Sequence, residues 1–169
     1  EVTITVTVTD DGGLSDDIDF VLTVNPVNDA PIISGQIELT TNEETSITIV
    51  FSDLFVEDVD NDFPEGFVLT VLDSGDYSEY YSVDGTTIIP GLDIDGLLIV
   101  PVYVNDGEVD NNESDIFNLE INVINVNDAP ILGLVGNQDT PEDVSLVLTL
   151  EATDVDNDST DLIFSASTD

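Results

Sequence analysis

The sequence contains no lysine, arginine, histidine, cysteine, methionine or tryptophan among its 169 residues. Its 38 aspartate and glutamate residues give a net charge of -38, and no side chain can form an ion pair with any of them. Because nucleic acids and anionic membrane surfaces are bound through lysine and arginine, neither is expected as a partner. Such a chain needs counter-ions to become compact, and its carboxylate oxygens favour Ca²⁺. The lack of cysteine also excludes a disulfide scaffold.

Long apolar runs are missing as well. The longest, residues 97–104, is interrupted by Pro101 and is too short to cross a bilayer, so we expect no direct membrane insertion. No signal peptide is evident and the first residue is not methionine, which predicts a section of a longer protein. Hydrophobic residues still make up 41% of the chain. They alternate with polar ones, which predicts packed β-strands rather than disorder.

One tetrapeptide occurs twice and organises the rest of the chain. Asn28-Asp29-Ala30-Pro31 and Asn127-Asp128-Ala129-Pro130 lie 99 positions apart (127 minus 28), and each follows one alternating stretch and precedes another. Self-similarity at about the length of a domain is typical of tandem repeats. We therefore predict that the two copies are junctions between consecutive domains.

The apolar residues alternate with a period of two and show no sustained helical period. Glycine, asparagine and aspartate separate these stretches, which predicts about seven short strands in each repeat of about 98 residues. The expected fold class is all-β, with tandem Greek-key β-sandwiches. Because proline cannot donate to a sheet ladder, Pro101 predicts an edge strand or a bulge. A further strand is expected through Val144, Leu146, Leu148 and Leu150, in correspondence with the stretch that runs from Ile47 to Phe51.

The repeat register divides the chain into three parts. The segment "TVTVTDDGG" near the start corresponds to "VPVYVNDGE" before the second junction, so residues 1–27 are predicted to be the last strands of one repeat. Residues 28–127 are predicted to form a complete repeat, and residues 128–169 the first strands of the next. Neither partial repeat has enough chain to bury a core of its own. Neighbouring copies of the chain, or a longer chain, are expected to complete them.

Two acidic loops have the spacing of a metal site. Asp58, Asp60 and Asp62 alternate with other residues in the first loop, and Asp154, Asp156 and Asp158 do so in the second. Oxygen ligands two positions apart in a tight loop can converge on one ion, and Ca²⁺ accepts six to eight such ligands. The alternative is that these residues are solvated turn acids in a chain that is acidic throughout. Their recurrence beside both junctions favours calcium.

Three segments carry a resemblance to a known family. "TVTDDGGLSDDIDFVLTVNPVNDAPII", "LTLEATDVDNDSTDLIFSAS" and "VDGTTIIPGLDIDGLLIVPVYVNDGEVDNNESDIFNLEINVINVNDAPIL" resemble the tandem cadherin-like, Ig-like β-sandwich repeats of large bacterial surface proteins and adhesins. In cadherin-like arrays Ca²⁺ lies between consecutive domains. Position by position, the resemblance implies these ligands: Asp10 or Asp11, Asp29, Glu43 with the adjacent Glu44, Asp58, Asp60, Asp93, Asp95, Asp106, Asp128, Glu142, Asp154 and Asp156.

The sequence departs from the family pattern in two places. The linker is a short Asn-Asp-Ala-Pro and offers fewer oxygens than the fuller family linker. Asp95 occupies a position where the family has the longer glutamate. Both departures bear on how many ions each junction holds.

The resemblance implies a non-catalytic, extracellular structural segment, a Ca²⁺-stiffened rod, stalk or filament of a cell-surface adhesin of bacterial type. Its expected partners are neighbouring repeats or copies of the same protein, and surface glycans or another cell. Catalysis is not expected, because no histidine, lysine, arginine or cysteine is present to orient a substrate. One alternative is a carbohydrate-binding cadherin-like module that uses Tyr77, Tyr80 and Tyr81, which are otherwise edge aromatics of the sandwich. The other is a self-assembling filament subunit completed by strand donation between neighbours.

Overall fold

The computed structural model describes residues 1–167; Thr168 and Asp169, the last two residues of the predicted third segment, lie outside the described residues. Within that range the fold is all-β, as predicted, and the single helical segment is a 3-10 turn at Phe51–Asp53. No helix of the described part is long and apolar enough to cross a membrane. The thirteen strands are β1 (Val2–Thr9), β2 (Ser15–Leu22), β3 (Ile32–Gln36), β4 (Leu39–Asn42), β5 (Ile47–Thr48), β6 (Leu54–Glu57), β7 (Val68–Val71), β8 (Tyr81–Asp84), β9 (Thr87–Pro90), β10 (Gly96–Asn105), β11 (Phe117–Ile124), β12 (Ile131–Leu132) and β13 (Ala152–Thr153).

The largest sheet has four strands in the order β4-β11-β10-β7. β10 pairs antiparallel with both β11 and β7, whereas β4 pairs parallel with β11. Because successive residues of a strand face opposite sides, alternate side chains of β10 enter the core. The inward residues Leu98, Val100, Val102 and Val104 are at most 2% exposed. The alternation in the sequence therefore marks the inner face of this sheet correctly.

A second layer covers that inner face. It contains the β5-β9-β8 sheet and the β3-β6 pair, and the 3-10 turn connects β5 to β6. Ile49, Leu54 and Ile88 from this layer belong to the same hydrophobic core as the inward residues of β10 and β11. Full burial of each such aliphatic side chain stabilises the fold by roughly 1.5–3 kcal/mol. Two layers of strands around one core are compatible with a β-sandwich.

Pro101 lies in a central strand, so the expectation of an edge or bulge position is wrong. It pairs with Asn118 on β11, and its carbonyl accepts a hydrogen bond from Leu72 N on the other side. In an antiparallel ladder the nitrogen and carbonyl of one residue point to the same side. The missing N–H of Pro101 therefore faces Leu72, the residue after the end of β7 at Val71, and the Leu72 carbonyl accepts instead from the Tyr81 hydroxyl at 3.0 Å.

Two pairs of strands near the start of the chain have registers that can be aligned with those of two later pairs. Val2, Ile4 and Val6 of β1 pair with Leu22, Phe20 and Ile18 of β2, and Leu98, Val100 and Val102 of β10 pair with Ile121, Leu119 and Phe117 of β11. Likewise Ile32 pairs with Glu57 in the β3-β6 pair, and Ile131 pairs with Thr153 in the β12-β13 pair. In this alignment the corresponding positions are separated by 96 residues between β1 and β10 (98 minus 2) and by 99 residues between β2 and β11 (121 minus 22).

The β1-β2 hairpin differs from its counterpart in burial. Within residues 1–167, the side chains of Val6 and Phe20 are 52% and 48% exposed, although the equivalent Val102 and Leu119 are fully buried. One face of the hairpin is apolar and the other carries threonine and aspartate, with Thr5 Oγ1 donating to Asp19 at 2.6 Å. The hairpin therefore has the pattern of a core-facing pair without a second layer over it.

The strand expected through residues 144–150 is not present. This stretch is exposed and has no regular secondary structure. The corresponding Ile47 and Thr48 form β5 by pairing with Ile88 and Thr87 of β9. Within residues 1–167 no second β9-like strand lies beside residues 144–150. A strand whose backbone groups have no partner gains nothing from the extended ladder, which explains the difference.

Candidate metal centre

The first Asn-Asp-Ala-Pro copy is fixed by a network of hydrogen bonds to the loop between β10 and β11. The Asn28 side chain donates to Asp106 Oδ2 at 2.9 Å and to the carbonyl of Asp110 at 3.0 Å. Asn111 Nδ2 donates back to the carbonyl of Asn28 at 3.0 Å. Asp106 is only 5% exposed, and its other oxygen accepts from Glu108 N at 2.8 Å. Asn28 thus serves as the neutral donor to a buried carboxylate that has no cationic partner.

The Asp58–Asp62 loop closes on the same linker from the other side. Asp29 N donates to Asp60 Oδ2 at 2.8 Å, and the backbone N–H groups of Asp60 and Asn61 donate to Asp58 Oδ1, each at 2.8 Å. Asp58 Oδ2 is buried and has no hydrogen-bond partner. An ionised oxygen in that situation is costly unless a cation or another donor satisfies it. The orphaned oxygen fits a metal ligand.

The second copy repeats the contacts of the linker aspartate and of the acidic loop, whereas the Asn127 side chain donates to the carbonyl of Asp128 at 2.8 Å and not to a carboxylate. Asp128 N donates to Asp156 Oδ2, as Asp29 N does to Asp60. The backbone N–H groups of Asp156 and Asn157 donate to Asp154 Oδ1 at 2.9 Å, as their counterparts do to Asp58. Asn125 adds a side-chain hydrogen bond to Asp156 Oδ1. The same linker and acidic loop therefore meet in the same way at both junctions.

Three more acids, Glu43, Glu44 and Asp93, lie near the second Asn-Asp-Ala-Pro copy and come from two turns earlier in the chain. One carboxylate oxygen from each of Glu44, Asp93 and Asp128 lies within 4.8 Å of the other two. Glu44 and Asp93 both adopt positive φ angles, 55° and 56°, which residues with a side chain adopt infrequently. The adjacent Glu43 is 5% exposed, and its Oε1 accepts a hydrogen bond from Val126 N. Carboxylates from two turns and from the linker are thus held together.

The electrostatics of this cluster are repulsive. Burial raises the pKa of Asp128 above its ordinary 3.8, and the negative charges of Asp93, Asp156, Glu43 and Asp154 raise that pKa further. The pKa of Asp156 is lowered instead, by the backbone hydrogen bond from Asp128 and then by the Asn125 side chain. Because the sequence has no lysine, arginine or histidine, no side chain can neutralise these acids. The oxygens that lie together here belong to carboxylates, which suit Ca²⁺.

The other predicted ligands lie elsewhere in the described structure. Asp10 lies in the exposed turn between β1 and β2, where its Oδ1 accepts from Leu14 N at 2.8 Å. Asp62 is exposed at the end of its loop, and Glu142 is exposed in the irregular segment before β13. Asp95 is exposed and lines a surface depression together with Tyr77 and Tyr80. None of these four belongs to the close group of Glu44, Asp93 and Asp128.

The three tyrosines predicted as a surface patch divide into two kinds. Tyr77 and Tyr80 are 38% and 37% exposed, and their ring centroids are 6.1 Å apart. Tyr81 is 5% exposed, and its hydroxyl donates to the carbonyls of Leu72 and Ser74 at 3.0 and 3.1 Å. Burial raises the pKa of Tyr81. Tyr81 is therefore a core residue, and its assignment to the surface patch is wrong.

Sequence reasoning did not single out two side chains that organise the junctions. Asn111 holds the first linker, and Asn125 holds Asp156 at the second. Asn125 lies two positions before Asn127, and the position equivalent to Asn125 before the first copy is Pro26. The pair of asparagines at 125 and 127 was therefore the sequence signal that could have identified Asn125. No protein-family model matches the chain, and no curated protein is significantly similar to it.

Proposed function

We propose that this chain is a non-catalytic segment of an extracellular array of Greek-key, Ig-like or cadherin-like β-sandwiches, in which Ca²⁺ stiffens each Asn-Asp-Ala-Pro junction. The observation that carries the proposal is the identical contact of linker and acidic loop at both junctions. The matching strand registers support a repeat of about 98 residues. The role of such an array is mechanical: a rod, stalk or filament that positions an adhesive end at a cell surface.

At the second junction the ion would be held by residues from three parts of the chain. Glu43, Glu44 and Asp93 lie on one side, Asp128 lies in the linker, and Asp154 and Asp156 lie on the other side. At the first junction the matching groups are Asp29, Asp58, Asp60 and Asp106. A bound Ca²⁺ supplies positive charge where the chain has none. Without it, the facing carboxylates repel and the linker is expected to bend and to be cleaved more readily.

An extracellular location follows from the same chemistry. Extracellular calcium modules bind the ion with dissociation constants of about 10⁻⁴–10⁻³ M, which needs only moderate preorganisation of exposed acids. The lack of lysine and arginine would also deny trypsin-like proteases their cleavage sites. Neighbouring repeats or copies of the chain are the proposed partners.

The test is a calcium titration of the full chain after treatment with EDTA, followed by thermal unfolding and limited proteolysis. We expect calcium to raise the unfolding temperature and to protect the linkers. Asp58→Asn and Asp154→Asn should each lose much of that gain, because the amide keeps the oxygen that accepts the loop N–H groups but replaces the second oxygen. Asp17→Asn, at an exposed position of β2, is the matched control for charge. Identical unfolding with EDTA and with calcium would reject the proposal.

A further inference from the structure

Tyrosine is the readily oxidised side chain of this protein. The sequence has four tyrosines and no cysteine, methionine, tryptophan or histidine. Thiols and thioethers are the side chains that oxidants normally attack, and neither is present here. The indole and imidazole rings that compete for one-electron oxidants are also lacking. An electron removed from this chain should therefore come from a phenol, and the fold decides which phenol an oxidant can reach.

The four tyrosines differ in access and in neighbours. Tyr77 and Tyr80 are 38% and 37% exposed, and their ring centroids lie 6.1 Å apart. Tyr81 is buried in the core, and Tyr103 is half-buried on the outward side of β10, where it pairs with Thr70 of β7. Among the residues that the structure describes, Tyr77 and Tyr80 are thus the two tyrosines that an oxidant can reach and that already lie side by side.

The backbone holds the two rings together. Tyr80 N donates to the Tyr77 carbonyl at 2.9 Å, which closes a turn with the same hydrogen bond as a 3-10 helix. Side chains three positions apart in such a turn lie on the same side. The Tyr80 carbonyl is fixed as well, because Gly91 N donates to it at 2.7 Å, and a Cβ at residue 91 would lie only 3.1 Å from that carbonyl. Two backbone hydrogen bonds at Tyr80 therefore keep its ring next to that of Tyr77.

A carboxylate lies beside this pair of rings. Hydrogen bonding of the Tyr80 hydroxyl to Glu79, and then the negative charge of Glu79, raise the pKa of Tyr80. A phenol loses an electron more easily when a neighbouring base takes its proton at the same time, because an oxidised phenol is a strong acid. Glu79 is exposed and next to Tyr80 in the chain, so its carboxylate is placed to be that base.

We propose that Tyr77 and Tyr80 form an oxidative cross-linking site, at which a one-electron oxidant joins the two rings of one chain as dityrosine. Each phenol loses one electron to the oxidant and its hydroxyl proton to Glu79 or to water. The two phenoxyl radicals then form a bond between their ortho carbons, and the hydrogen on each of these carbons moves to the oxygen of its own ring. The chain loses two hydrogen atoms in total. With a haem peroxidase as the oxidant, one molecule of hydrogen peroxide accepts them and becomes two molecules of water.

The cross-link should form within one chain. Two rings joined by a short connection have an effective concentration of about millimolar, far above that of a dilute protein. The product adds a covalent bond to a chain that has no cysteine for a disulfide. It would close the turn of Tyr77 and Tyr80 beside Asp93 and Ile94, which line the same depression. Calcium takes no part in this chemistry, so its outcome is independent of the junction proposal.

The experiment oxidises the full chain at micromolar concentration with photoactivated ruthenium tris-bipyridine and persulfate, which accepts the two electrons. We expect dityrosine fluorescence in a product that migrates as a single chain, with a mass lower by two hydrogen atoms. In tandem mass spectra of the peptide that contains Tyr77, Tyr80 and Tyr81, backbone fragments between residues 77 and 80 should be missing. Tyr77→Phe and Tyr80→Phe should each abolish this product. Tyr103→Phe is the matched control and should leave its yield unchanged.

The same oxidation of the chain unfolded in guanidinium tests whether the fold, and not the short separation in sequence, selects the pair. There we expect a lower single-chain yield and cross-links that also involve Tyr81 or Tyr103. Three results with the folded chain would overturn the inference: no dityrosine, dityrosine only between chains, or a single-chain product that survives Tyr77→Phe as well as it survives Tyr103→Phe. An equal yield and an equal pattern of cross-links in guanidinium would overturn it as well, because the turn would then have no role.

Discussion

Val6 and Val102 occupy equivalent positions of matched strand pairs, and truncating each to alanine should have very different costs. Val102 pairs with Phe117 and is fully buried, whereas Val6 pairs with Ile18 and is 52% exposed. Val102→Ala removes two buried methyl groups, worth about 0.8 kcal/mol each in transfer, and leaves a cavity. We expect a loss of about 2–3 kcal/mol in the free energy of unfolding. Val6→Ala removes groups that already contact water and should cost less than about 0.5 kcal/mol.

The assay is guanidinium unfolding of the full chain in excess calcium at several protein concentrations. The burial argument is refuted if Val6→Ala costs as much as Val102→Ala in dilute solution. A cost at Val6 that grows with protein concentration has a different meaning. It would show that another copy covers the apolar face of the β1-β2 hairpin, which favours the self-assembling filament over an independent rod. Equal slopes with denaturant in both variants would show that the surface exposed on unfolding is unchanged.

Three further predictions concern protons, strand positioning and signalling between sites. Because the pKa of Asp128 is raised, protons should compete with calcium at a higher pH than at an ordinary aspartate. Calcium affinity should therefore fall as the pH drops through that pKa, whereas the metal-free protein should gain stability over the same range. Calcium titrations at stepped pH check this, and Asp128→Asn should remove the pH-dependent step. Gln36→Ala should lower the free energy of unfolding by about 1–2 kcal/mol, measured by chemical denaturation, because two hydrogen bonds between Gln36 and the backbone of Glu120 are lost. The exposed Gln138→Ala should lower it by almost nothing. Equal losses in the two variants would contradict a stabilising role for the Gln36 contacts. Asp93 belongs to the close group of Glu44, Asp93 and Asp128 and also lines the depression that holds Tyr77. If that group binds calcium, calcium should change tyrosine fluorescence in this tryptophan-free chain, and Tyr77→Phe should reduce that change.

The alternation of apolar and polar residues predicted most of the four-stranded sheet. The parity of apolar residues in β10 and β11 identified the buried faces, because a half-buried strand requires a period of two. Parity cannot show which strand is central, and so Pro101 was assigned to an edge. Its tolerance depends on where β7 ends, a fact set by the chain's long-range pairing. The prediction of a strand at residues 144–150 was wrong for the same reason, since the sequence pattern suits a strand but no partner strand lies beside it.

The acidic residue types of the candidate site were predictable from the sequence, whereas the residues that lie close together in the structure were predictable only in part. Asp58, Asp60, Asp154 and Asp156 follow from spacing alone, because a tight loop determines their proximity. The meeting of Glu44 and Asp93 with Asp128 depends on two turns that converge from distant positions, and their positive φ angles cannot be recognised from non-glycine residues. Tyr81 escaped sequence reasoning because its position in a Tyr-rich segment says nothing about the carbonyls that receive its hydroxyl.

The Asn-Asp-Ala-Pro linker combines two functions that a flexible connector would lack. At the first copy the asparagine side chain and the aspartate N–H are neutral donors to carboxylates, since Asn28 donates to Asp106 and Asp29 N donates to Asp60. At the second copy the aspartate N–H makes the matching contact with Asp156, whereas the Asn127 side chain donates to the carbonyl of Asp128. Its aspartate side chain then remains available, and at the second junction it points into acids contributed by the preceding segment. On the proposed function, a linker that is anchored to one side by neutral donors, with its charge facing the other side, becomes rigid when a cation binds between the two sides. Stiffness of the array should therefore depend on calcium at the linker aspartate more than on the sandwiches themselves.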